Sequence, residues 1–124
     1  MVMCLNELEK SVLRVMCERE PADRDFLELQ LQSVKVQSRE NTGAGFFTTL
    51  RANPDSPSLV RDKVIGDVIA KVDGLQNPMV FLLFTRNGYV DQLEGAAIED
   101  STVNVDFSHA KFEILEERVQ KRLN

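Results

Sequence analysis

"VFLLFTRNGYVDQLEGAA", residues 80–97, decides how this chain folds. It holds an apolar run, Asn87-Gly88, a second run and a Glu-Gly stop, which together spell a β-hairpin. Asn-Gly favours the type I′ turn because both central residues there need positive φ. A two-residue loop then sets the register. Arg86 faces Tyr89, Thr85 faces Val90 and Phe84 faces Asp91, while Leu83 meets Gln92, Leu82 meets Leu93 and Phe81 meets Glu94. Cross-strand partners share a face. Val80, Leu82, Phe84 and Leu93 therefore fall on one side; Met79, Phe81, Leu83, Val90, Gln92 and Glu94 fall on the other. The first strand is apolar on both sides, which predicts a central strand covered on each face.

That register singles out Glu94, a carboxylate set beside Phe81 and Leu83. Three settings are open to it: a wet rim, an ion pair with Arg39 or Lys71, or the wall of a concave pocket containing Arg39 and Gln92. Arg86 opposite Tyr89 predicts a cation–π contact near the turn, or part of a partner-binding tip.

Outward from the hairpin, the neighbouring segments supply more strands. Residues 64–73 alternate, with Val68, Ala70 and Val72 on one face and Ile69 and Lys71 on the other. "SVKVQSRE" (33–40), the Gly-bearing "NTGAG" turn and "FFTTLRA" (46–52) form another hairpin. "NPDSPS" (53–58) is a loop marked by two prolines. A sixth strand is expected near 110–116, and Leu115, Val119 and Leu123 suit a short terminal helix in which Glu117 and Lys121 pair.

Before the strands come helices. Leu5, Leu8, Val12 and Val15 recur at helical spacing over residues 5–19, Met16 widens the stripe, and Asn6 with Glu9 forms a capping-box pattern. Residues 22–31 are ambiguous, since Leu27, Leu29 and Leu31 alternate like a strand. Pro21 and Asp23 favour a helix there. Two helices followed by antiparallel strands give an α+β fold: N-terminal helices on a curved meander of five to six strands, read as a single domain over 1–124.

"SRENTGAGFFTTLRA" (38–52) and "FLLFTRNGYVDQLEGAA" (81–97) resemble a group of small uncharacterised bacterial proteins with "SRE-TG-GF-T" and "LEG" hairpin motifs. The residues that carry the resemblance are Ser38, Arg39, Glu40, Thr42, Gly43, Gly45, Phe46 and Thr48, then Leu83, Phe84, Gly88, Leu93, Glu94 and Gly95. The resemblance implies the fold and a bacterial source, and no activity. After Gly95 the chain departs from the group, with "AAIED" where an aromatic and Trp-Pro usually follow. In size and sheet-rich plan the group is more loosely similar to the immunity proteins of bacterial toxin systems, which implies a toxin as partner.

Composition sets further bounds. Twenty acids against fifteen bases give a net charge of −5, which repels phosphate backbones and argues against a nucleic-acid binder. The same charge suits a basic protein partner. "GAG" is no phosphate loop, because no Lys-Ser/Thr follows it at a helix start. Cys4 and Cys17, about 140° apart around one helix, cannot pair within it, and neither belongs to a metal-binding spacing. No cofactor fingerprint appears. The N-terminus has no apolar core of a signal peptide, and no run approaches a membrane span, so a cytoplasmic protein is expected.

Catalytic signatures are absent from the sequence. His109 is the only histidine; its neighbour Ser108 points to the opposite face of a strand. Asp91 and Glu94 are likewise on opposite faces and cannot act as a carboxylate pair. Three readings follow: a non-enzymatic, immunity-like interaction domain; a small-molecule module or weak enzyme around Arg39, Gln92 and Glu94; and a homodimer joined through its sheet.

Overall fold

The capping box closes as the sequence predicts. Asn6 Oδ1 accepts from the Glu9 amide and Glu9 Oε1 from the Asn6 amide, both at 2.8 Å. In the computed structural model, which describes residues 3–115, this starts helix α1 (Glu7–Glu18). Its buried stripe includes Leu8, Val12, Val15 and Met16. Pro21 lies in the turn before α2 (Arg24–Gln32). The ambiguous leucines resolve as helix: Leu27 is buried while Leu29 is exposed.

Six strands follow: β1 (Lys35–Asn41), β2 (Gly45–Arg51), β3 (Val64–Val72), β4 (Met79–Arg86), β5 (Tyr89–Ala96) and β6 (Phe112–Ile114). They form one antiparallel sheet in the order β1-β2-β5-β4-β3-β6. The meander proper is β3–β4–β5. The β1–β2 hairpin docks on β5, and β6 pairs with the other side of β3. Both helices lie N-terminal to this open sheet, an α+β fold. The expected terminal helix, with Val119, Leu123 and the Glu117–Lys121 pair, lies outside the described residues. None of the helices among the described residues is long and apolar enough to cross a membrane.

The helices and one face of the sheet form the core. Leu8, Val12, Met16 and Leu27 meet Ile65, Val68, Phe81, Leu83 and Leu93, all at most 1% exposed. The segment after β5 folds onto the end of this layer. Thr102 Oγ1 accepts from the Gly45 amide at 3.0 Å, and the Phe107 ring lies 4.7 Å from that of Phe46. Glycine is needed where β2 and β5 come close: Gly45 has φ +142°, and a Cβ there would stand 2.0 Å from the Gly95 carbonyl oxygen.

The hairpin register differs from the turn-based expectation. Arg86 opposite Tyr89 and Thr85 opposite Val90 agree. Beyond them Phe84 faces Gln92, Leu83 faces Leu93 and Leu82 faces Glu94. The register shifts there, so Asp91 is the additional residue of a β-bulge. The cause is burial. Val90 and Leu93 are three residues apart, so strict alternation would put them on opposite faces; one extra residue brings both inside, at 2% and 0% exposure. Gln92 and Glu94 turn to the other face as a result.

That other face corrects a second expectation. Among the described residues β4 is covered on one side only. Phe47, Ile69, Val80, Leu82 and Phe84 are half-buried, yet they belong neither to the core cluster nor to the hydrophobic residues packed against it.

Candidate functional site: the open face of the sheet

Arg39 and Glu94 do not share a pocket. Arg39 pairs with Thr48, which pairs with Leu93, so Arg39 belongs to the helix-covered face. Glu94 pairs with Phe47 and Leu82 on the open face. The carboxylate that meets Arg39 is Glu9, only 1% exposed. Arg39 donates from Nε to Glu9 Oε2 at 2.9 Å and from Nη2 to Oε1 at 2.8 Å. Thr48 Oγ1 donates to Glu9 Oε2 at 2.6 Å. With the Asn6 amide, four donors reach one buried carboxylate, which satisfies its lone pairs. That hydrogen-bonded carboxylate drives the Arg39 pKa above its already high ordinary value. The cluster ties the start of α1 to β1 and β2, a structural task.

Sequence reasoning missed Glu9 as a buried group, although a signal was present. Glu9 lies between Leu5 and Val12 on the apolar stripe of α1, where an acid demands a cation. Gln30 carries the same signal beside Leu27 on α2. It is fully buried, donates from Nε2 to the carbonyls of Pro57 (2.8 Å) and Gly88 (2.9 Å), and accepts from the Val90 amide at 2.9 Å. These bonds fasten the Asn-Gly turn and the preceding loop to the helix layer.

The turn itself is held by its neighbours. Tyr89 Oη lies 3.0 and 3.1 Å from the carbonyl oxygens of Pro54 and Ser56. Asp62 accepts from the amides of Asn87 and Gly88 at 3.0 and 2.7 Å. Arg86 is exposed and makes no ring contact with Tyr89, so the expected cation–π pair is not formed.

Concavities also lie away from the open face. A cleft of about 550 Å³ includes Asp73, Ser101, Asp106 and His109. His109 Nδ1 lies 2.8 Å from Asp106 Oδ2, and this contact lowers the Asp106 pKa. Both side chains are mostly in water, 84% and 68% exposed, so the pair lacks the enclosure that general acid–base chemistry uses. A groove of about 400 Å³ between the helices is lined by Leu5, Leu13, Cys17 and Leu31. Burial pushes the Cys17 thiol up to about 11, away from nucleophilic use. A smaller hollow of about 250 Å³ beside Arg39 and Phe46 has the Glu9 cluster as part of its wall. Among the described residues no group of His, Cys, Asp and Glu is arranged to hold a metal ion.

The open face offers the clearest unfinished surface. Val80, Leu82 and Phe84 run along its middle strand, with Ile69 and the 58% exposed Val64 on one side. On the other side Gln92 and Glu94 stand on β5, then Phe47 and Thr49 on β2, then Ser38 and Glu40 on β1. Glu94 thus sits between Phe47 and Leu82, half-buried, and no side-chain hydrogen bond or ion pair reaches it among the described residues. An apolar sheet face with a polar rim is a form that contact surfaces take.

Comparison with protein-family models, with curated proteins and with solved structures finds no match to this chain.

Proposed function

We propose that this chain is a non-enzymatic interaction domain that binds a basic protein through the open face of its sheet, in the manner of a bacterial immunity protein that masks a toxin in the cytoplasm. The observation that carries this reading is Glu94. A carboxylate that no cation reaches among the described residues stands inside an apolar face that neither α1 nor α2 covers. A partner that covers Phe47, Leu82 and Phe84 removes water from Glu94 and is favoured if it brings positive charge. The net charge of −5 acts in the same direction at longer range, speeding encounter with a basic surface at low salt.

The test compares capture by the native protein and by Leu82→Lys, which places a cation in the middle of the face. The expected result is a basic protein retained by the native chain, released by raised salt and lost with Leu82→Lys. Equal retention by both proteins would place the contact elsewhere and end this reading.

A further inference from the structure

We infer, building on the interaction reading above, that the partner places an arginine side chain across the ring of Phe47, between the carboxylates of Glu40 and Glu94. These three residues form one cross-strand row: Glu40 on β1 faces Phe47 on β2, which faces Glu94 on β5. Neighbouring strands lie about 4.8 Å apart, so the two acids stand roughly 10 Å apart at the backbone with the ring between them. Neither carboxylate has a side-chain partner among the described residues.

The row has the chemistry of a guanidinium seat. A guanidinium is planar, stacks on an aromatic face and presents paired N–H donors that a carboxylate accepts two at a time. A lysine ammonium is a compact, more strongly hydrated charge that can pair with one acid but gains less from the ring. On the β4 side the seat is closed by Leu82, whose Cδ2 occupies the space over Gly66; a Cβ there would lie 2.3 Å away. Thr49 and Gln92 stand one row along the same face and offer acceptors for the remaining N–H groups. Docking on the surrounding apolar residues would strip water from Glu94, and a partner without a cation at this point would be disfavoured.

A random peptide library displayed on phage and selected against the native protein tests the inference. Selected peptides are expected to carry an arginine flanked by apolar residues. Replacing that arginine by alanine, or Glu94→Gln in the protein, should weaken binding about 30-fold or more. Replacing the arginine by lysine should give a smaller loss. Circular dichroism on Glu94→Gln and Leu82→Lys checks that both variants keep the native fold. Peptides that lose binding to Leu82→Lys but depend on neither the arginine nor Glu94 overturn this inference and leave the open-face reading in place. Peptides indifferent to Leu82→Lys overturn both. A native dimer in sedimentation that Leu82→Lys dissociates would assign the face to a second copy and overturn the arginine seat.

Discussion

Glu94 faces Leu82 across the β4–β5 hairpin, where the Asn-Gly turn alone would set it against Phe81. The single residue responsible is Asp91. Bulged out of the ladder, it lets Val90 and Leu93 both enter the core and leaves Gln92 and Glu94 on the uncovered side.

Deleting Asp91 tests that account. Without it Val90 and Leu93 stand two apart, so strict alternation from the turn keeps both inside and leaves Gln92 and Glu94 on the open face. The deletion variant should therefore keep a cooperative urea transition, with a loss of no more than about 1–3 kcal/mol. Asp91→Ala keeps the bulge and should change stability by less than about 1 kcal/mol. Loss of the cooperative transition on deletion would mean that the bulge itself, and not only the placement of Val90 and Leu93, is needed for the fold.

The Glu9–Arg39 pair should behave as one unit. Glu9→Ala strands a guanidinium and removes the capping acceptor; Arg39→Ala strands a carboxylate that is 1% exposed. Each is expected to cost about 3–5 kcal/mol in denaturant melts. The double variant should fall short of the sum by about 1 kcal/mol or more. Strict additivity would show that the two side chains contribute independently.

Gln30→Leu keeps the volume and removes three hydrogen bonds to Pro57, Gly88 and Val90. A buried group left without its partner costs about 1–3 kcal/mol. The variant should therefore lose about 2–4 kcal/mol, and the amides around Gly88 should exchange faster than in the native protein. Unchanged exchange at the turn would show that Asp62 alone suffices to hold it.

Cys17 and Cys4 should differ in reactivity. Cys4 is exposed and Cys17 buried. Burial first, then the nearby Glu28 charge, pushes the Cys17 thiol from an ordinary 9.0 to about 11. Iodoacetamide at neutral pH should label Cys4 in the native protein and Cys17 only after unfolding, as read by mass spectrometry. The sign of the pH effect follows from linkage. The folded state holds this proton more tightly, so the unfolded chain releases it first and stability falls as pH rises from about 9 to about 11. Cys17→Ala should remove this particular slope while carrying its own cost in packing.

The helices, the six strands and the α+β class were legible because apolar periodicity and turn residues act locally. α1 needed only its capping box and stripe, and the alternation of Val68, Ala70 and Val72 in β3 gave the buried face directly. The strand order was not legible, since nothing local states that β2 joins β5. The site was half legible. Glu94 stood out as a carboxylate among apolar residues, but turn geometry alone put it on the wrong face. The odd spacing of Val90 and Leu93 was the missed clue. Arg39 was singled out too, and its partner was hidden because Glu9 looked accounted for by its cap.

The pairing of β2 with β5 has a kinetic meaning. The chain from Ala52 to Gly88 must be gathered before those two strands meet, whereas β1–β2 and β3–β4–β5 each close through neighbours in sequence. Long-range closure is the slow event in such a topology. The β2–β5 seam, like the β3–β6 pairing, is therefore expected to form late in folding and to open early in partial unfolding. Phe47 and Glu40 lie on one side of it, Glu94 and Leu82 on the other. A partner seated across them would bridge the seam and suppress that opening, so binding would register first as slowed amide exchange along β2 and β5.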